Sequence, residues 1–154
     1  VSLEGDLYTA IQTAYAADSG AGGLANSTGN QYVRSTDFKR FDDSDERNNG
    51  NWPMIEIDVS AAGEDDAFSR GRAMVYGRAY LSFKRDGVAA MFSKIDAVLD
   101  RFRALYHRNQ LTASASWAWS PLTISRVIRG PVSGNEAKRI VEFQVLATRT
   151  SGVA

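Results

Sequence analysis

The chain has 154 residues, no cysteine and one histidine, with 44% hydrophobic and 23% charged residues and a formal charge of zero. A single globular domain follows from that length and composition, and the missing cysteine excludes a disulfide framework, a thiolate metal site and a thiol nucleophile. The zero charge is a cancellation: residues 1–66 carry thirteen acids against four bases, 4 − 13 = −9, and residues 67–154 carry five against fourteen, 14 − 5 = +9. A surface divided this way suits binding a copy of itself or an ordered neighbour better than turning over a small substrate.

Val1 to Tyr15 holds Glu4 and Asp6 and no basic segment, so no signal peptide is expected. The uncharged stretch Leu7–Ala17 is too short and polar to span a bilayer, and no membrane partner is expected. Leu3, Leu7, Ala10, Ile11, Ala14 and Tyr15 share one helical stripe, predicting a first helix over about 3–17, stopped by Asp18-Ser19-Gly20. From Gly20 to Asn51 the chain lacks periodicity, which marks a long loop or arm, with Phe38 and Phe41 as apolar anchors and a short strand over Gln31–Arg34.

Strands are expected next over Trp52–Val59 and Arg72–Lys84, joined by a turn at Gly63-Glu64-Asp65-Asp66. In the second, Val75, Gly77, Ala79, Leu81 and Phe83 face the core, while Met74, Tyr76, Arg78 and Tyr80 are expected to meet a partner surface. Val88, Met91, Phe92, Ile95, Val98, Leu99, Phe102, Leu105 and Tyr106 then form a long helical stripe, begun by Asp86-Gly87 and ended by Asn109. Ser116–Arg129, broken at Pro121, and Lys138–Thr148 read as closing strands around a hairpin connection at Gly130–Asn135. The order α-β-β-α-β-β predicts a single α+β domain, an antiparallel sheet with helices packed on one face.

Catalytic chemistry finds little support. His107 stands among Arg101, Arg103 and Arg108 at a helix end, where a cation complements the helix dipole. Gly20, Gly22 and Gly23 lack the strand, lysine and helix of a phosphate loop. A calcium loop set on Gly50, with Asp45, Asn49 and Glu56 as ligands, puts Arg47 where an oxygen ligand is required. Asp42-Asp43 and Glu64-Asp65-Asp66 lie in polar loops with nothing to raise a pKa. No catalytic, cofactor or metal residues are therefore expected. Trp117 and Trp119 share a strand face and suit core or interface packing, with base or sugar stacking as the alternative.

An opening helix LYTAIQTAYAA precedes a long loop, then the strand WPMIEIDV and the unit RAMVYGRAYLSFKRDGVAAMFSKIDAVLDRFRAL. A strand ending in TISRVIRG leads to the last, KRIVEFQVLATR. In this order the segments resemble the tail terminator and tail completion (head–tail joining) proteins of long-tailed bacteriophages. The resemblance implies a structural virion protein and no enzyme. It implies a ring, usually a hexamer, at the head-proximal end of the tail tube, assembled in the host cytoplasm, with no cofactor. The ring would end polymerisation of the tail tube protein and meet head-completion or connector proteins, while DNA passes through its channel without specific binding.

Such a ring needs two unlike patches per subunit. Asp42, Asp43, Asp45 and Glu46 of one subunit are expected to face Arg101, Arg103 and Arg108 of the next, with Met74, Tyr76, Arg78 and Tyr80 buried in the assembly. The alternatives are a neighbouring connector or stopper protein and a small nucleic-acid-binding module using Trp117, Trp119 and the arginines of the basic half. An enzyme is a further class, with no constellation behind it.

Overall fold

A computed structural model describes residues 3–41, 53–62, 71–84, 88–130 and 136–150. Its elements are α1 (Leu3–Ala17), β1 (Phe38–Arg40), β2 (Met54–Ala62), β3 (Arg72–Lys84), α2 (Val88–Tyr106), β4 (Trp117–Trp119), β5 (Thr123–Arg129) and β6 (Glu136–Arg149). The expected turn at 63–66 lies outside the described residues, as does 131–135 of the hairpin connection.

Ala137, Val141, Phe143, Val145 and Ala147 are buried while their neighbours alternate outward, the period of a strand with one covered face. This strand, β6, pairs antiparallel with β3 from Arg72↔Thr148 to Lys84↔Glu136. On its other side β4 pairs around Ala147 and β5 around Val141. The sheet continues from β3 to β2, also antiparallel, and then to β1.

Three expectations need correction. The sheet is mixed rather than wholly antiparallel, because β1 runs parallel to β2 with Phe38 opposite Ile55. The short strand of the long loop is Phe38–Arg40, not Gln31–Arg34. In the latter segment the backbone bonds stay local, Tyr32 N–H donating to Gly29 and Val33 N–H to the Leu24 carbonyl. The long helix ends at Tyr106, three residues before Asn109, whose side-chain amide donates to the Ala104 and Leu105 carbonyls at 2.8 Å each.

Pro121 divides the expected strand 116–129 in two. Ser120 still exchanges bonds with Leu146 of β6, but Leu122 turns away and pairs its backbone with Arg108 and Asn109 beyond α2. Residues 20–41 pack against α1: Leu24, Val33 and Phe38 are buried, and the Tyr15 ring stacks on Phe38 at 4.3 Å. The buried Tyr15 hydroxyl donates to the Val33 carbonyl, and burial pushes its pKa up to about 12.

Both helices share one hydrophobic cluster with the inward residues of the sheet, α1 near β1 and β2, α2 near β3 and β5. The Tyr106 hydroxyl ties them together by donating to the Ile11 carbonyl at 2.7 Å. Packing within the sheet is tight at Gly77, where a Cβ would overlap the ring of Phe143 on the paired strand. We predict that Gly77→Ala destabilises the chain by about 1–3 kcal/mol through overpacking. Phe143→Leu in the same chain should recover part of that loss, as measured by chemical unfolding.

Candidate assembly interface

With the helices on one face, the opposite face of the sheet carries Met54, Glu56, Asp58 and Ser60 of β2 and Met74, Tyr76, Arg78, Tyr80 and Ser82 of β3. The register brings Lys138, Ile140, Glu142, Gln144 and Leu146 of β6 beside them. Met74 and Tyr80 are half-buried, Arg78 is exposed, and Tyr76 is 50% exposed. Phe41, 44% exposed, sets its ring 5.0 Å from that of Tyr80, and Glu56 on the strand between is buried. Phe41 and Tyr76 are the large apolar side chains left exposed among the described residues.

One row across this face is built from charge. Asp58 lies opposite Arg78, Arg78 opposite Glu142, and Glu142 opposite Arg126 of β5, so four strands alternate acid, base, acid, base. Arg78 Nε donates to Glu142 Oε2 at 2.9 Å, and Arg126 Nε to Glu142 Oε1. The Arg126 hydrogen bond, followed by that of Arg78, holds the Glu142 carboxyl below the usual carboxylate range against the upward push of desolvation. Cross-strand pairs of opposite charge favour this register. The row also borders a groove of about 380 Å³ lined by Ser60, Tyr76, Ser125 and Gln144.

The arginines beyond α2's midpoint separate into different roles. Arg101 donates to both carboxylate oxygens of Asp18, whose side chain is 6% exposed, and so joins the end of α1 to α2 within the subunit. Burial pushes the Asp18 carboxyl up, but the Arg101 hydrogen bond, the Leu24 N–H and the Arg101 charge outweigh it and hold it below the usual range. Arg103 is exposed and lies 3.9 Å from the exposed Asp100. With His107, Ile124, Arg126 and Val127 it lines a cleft of about 220 Å³ between α2 and β5.

Arg108 is exposed and adopts φ 61°, the left-handed conformation that ends helices and favours glycine. His107 is tied to β5, its Nδ1 accepting the Ile124 N–H at 3.0 Å. Asp42, Asp43, Asp45 and Glu46 lie outside the described residues.

Trp117 and Trp119 are buried, at 3% and 2% exposure, so neither ring offers its face to a base or sugar. Among the described residues no three His, Asp or Glu side chains gather to hold a metal, and no helix is long and apolar enough to cross a membrane. Asp58, Arg126 and Glu142 escaped the sequence reading. Each sits at an outward strand position, but only the register sets them in one row.

No protein-family model matches the chain, and no curated protein matches it. Among solved structures it is similar to a chain of the virion of a native gene transfer agent particle, at 17% identity and a TM-score of 0.62. The likeness covers 96% of this chain and 98% of that one, so the two share their fold over nearly the whole length of both.

Two predictions follow from the arginines. Asp18 has a depressed pKa in the folded state, so its contribution is complete above the unfolded carboxyl value and is lost as pH falls through the lower folded value. Asp18→Asn should cost about 1–2 kcal/mol at neutral pH, because the half-exposed Arg101 remains partly solvated. It should also flatten the fall in stability below about pH 4, measured by chemical unfolding across pH. Arg108→Gly should leave stability unchanged or raise it by up to about 1 kcal/mol, since glycine adopts positive φ without penalty. Thermal unfolding checks this.

Proposed function

We propose that this chain is a structural virion protein of a phage-like particle. The observation that carries the reading is the fold shared, end to end, with a chain of the gene transfer agent virion. In the finer reading it is a tail terminator. A hexameric ring forms at the head-proximal end of the tail tube, stops addition of tail tube protein, and receives the head-completion or connector proteins. DNA passes through the channel without being gripped, and the chain catalyses no reaction.

The surface chemistry supports an assembling subunit. The outer sheet face exposes Tyr76 and Phe41 beside arginines, the composition of interface cores. The cleft at the α2 end presents Arg103 and Arg126 over the apolar side chains of Ile124 and Val127. In the ring, Asp42, Asp43, Asp45 and Glu46 of one subunit meet Arg103 and Arg108 of the next. Opposite potentials of this kind steer docking and fix register. Arg101 contributes from behind, holding α2 in place through Asp18.

Native mass spectrometry and negative-stain electron microscopy test this. The reading predicts closed rings of six copies that bind one end of preformed tubes of tail tube protein. Charge reversal of Arg103 should weaken rings and leave unfolding of the subunit within about 0.5 kcal/mol of the parent. Failure to join tubes or rings at any concentration would contradict the tail reading.

A further inference from the structure

The charged row of the outer face has a symmetry that its individual pairs do not reveal. Read from β2 to β5 it runs Asp58, Arg78, Glu142, Arg126, so its sign pattern inverts about its midpoint between β3 and β6. Glu142 supplies one carboxylate to two guanidiniums, and Asp58 makes no ion pair among the described residues. A surplus cation thus stands at one end of the row and a lone anion at the other, about 14 Å apart at ordinary strand spacing. Asp58 is exposed and the Arg126 side chain is 66% exposed.

We propose that this face is a two-fold interface between two copies of the chain. A two-fold axis lying along the strands, between β3 and β6, carries each position of a row onto its mirror position in the partner copy. Asp58 then meets Arg126 of the second copy and Arg78 meets its Glu142, with every contact made twice, as an isologous interface requires.

The neighbouring rows obey the same operation. Ser60, Tyr76, Gln144 and Thr123 form one row, so Tyr76 meets Gln144 and Ser60 meets Thr123. Met74 meets Leu146, and Tyr80 meets Ile140. Glu56, which would otherwise face Ile128, is buried in a stretch where Phe41 and Tyr80 make ring contact. The face measures about 19 by 27 Å by strand spacing and rise. That is about 500 Å² per copy, the low end for a specific pair, so the dimer forms reversibly with concentration. The contact joins copies pairwise and takes up Arg126, leaving Arg103 and Arg108 at the α2 end available for ring closure.

The inference stands apart from the virion reading: pairs without rings leave it intact, and rings without pairing through this face remove it. Charge-swap variants followed by sedimentation velocity and native mass spectrometry test it. Asp58→Arg alone and Arg126→Asp alone should each weaken the dimer at least about tenfold, because each reversal places two like-charge contacts in the interface. The two variants mixed should form a one-to-one heterodimer, and the double variant should regain its homodimer.

Thermal unfolding of each variant separates loss of pairing from loss of fold. Should a reversal unfold the chain, Asp58→Asn and Arg126→Gln replace it, with a weakening of about threefold expected. Single variants that pair as tightly as the parent would overturn the proposal. So would mixtures that associate only into larger even-numbered rings, which a head-to-tail contact would produce.

Discussion

The antiparallel pairing of β3 with β6, thirteen residue pairs from Arg72↔Thr148 to Lys84↔Glu136, sets the two faces of this molecule at once. Side chains alternate across a strand, so a slip of one residue would exchange the buried and exposed sets along both strands. The fit of Phe143 over Gly77 discourages that slip, since no other residue type leaves room for the ring. Once the register holds, the helices cover Val75, Ala79, Leu81, Val141 and Val145, while the opposite face keeps Tyr76, Arg78 and Glu142. Strands β4 and β5 then occupy the far side of β6 in turn, and Pro121 marks the handover.

Among the described residues the acidic front and basic back of the sequence do not become two charged lobes. Strand β2 from the front half lies beside β3 from the back half, and their charges interleave as a row of alternating sign. Asp18 and Arg101 carry the same logic to the helix layer, one from each half, joining the end of α1 to α2. What the imbalance yields is pairing across the chain, with surplus charge left at the edges. Arg126 at the β5 edge, Arg103 at the α2 end and Asp58 on β2 belong to that surplus. Charged side chains on an edge strand also discourage indiscriminate sheet extension.

Much of the fold was legible from periodicity. The stripes of α1 and α2 and the alternation in β2, β3 and β6 each require one covered face, and that requirement is local to the sequence. What was hidden depends on partners distant in the chain. Phe38–Arg40 is too short to show a pattern, and it becomes a strand only because β2 offers an edge. Arg101 looked like Arg103 and Arg108 in the sequence, since nothing nearby announces Asp18, eighty-three positions away. The outward face of β3 was recognised as a candidate surface, but its charged row needed Glu142 and Arg126, which only the pairing places beside Arg78.

The account rests on one claim, that the exposed sheet face is covered when copies of this chain assemble. Hydroxyl-radical footprinting across a concentration series reads that burial directly, with the enclosed Tyr106, 1% exposed, as the internal reference. Oxidation of Tyr76 and Met74 should fall several-fold as association proceeds while Tyr106 stays protected throughout. Equal labelling of Tyr76 in the free and the associated chain would contradict the account.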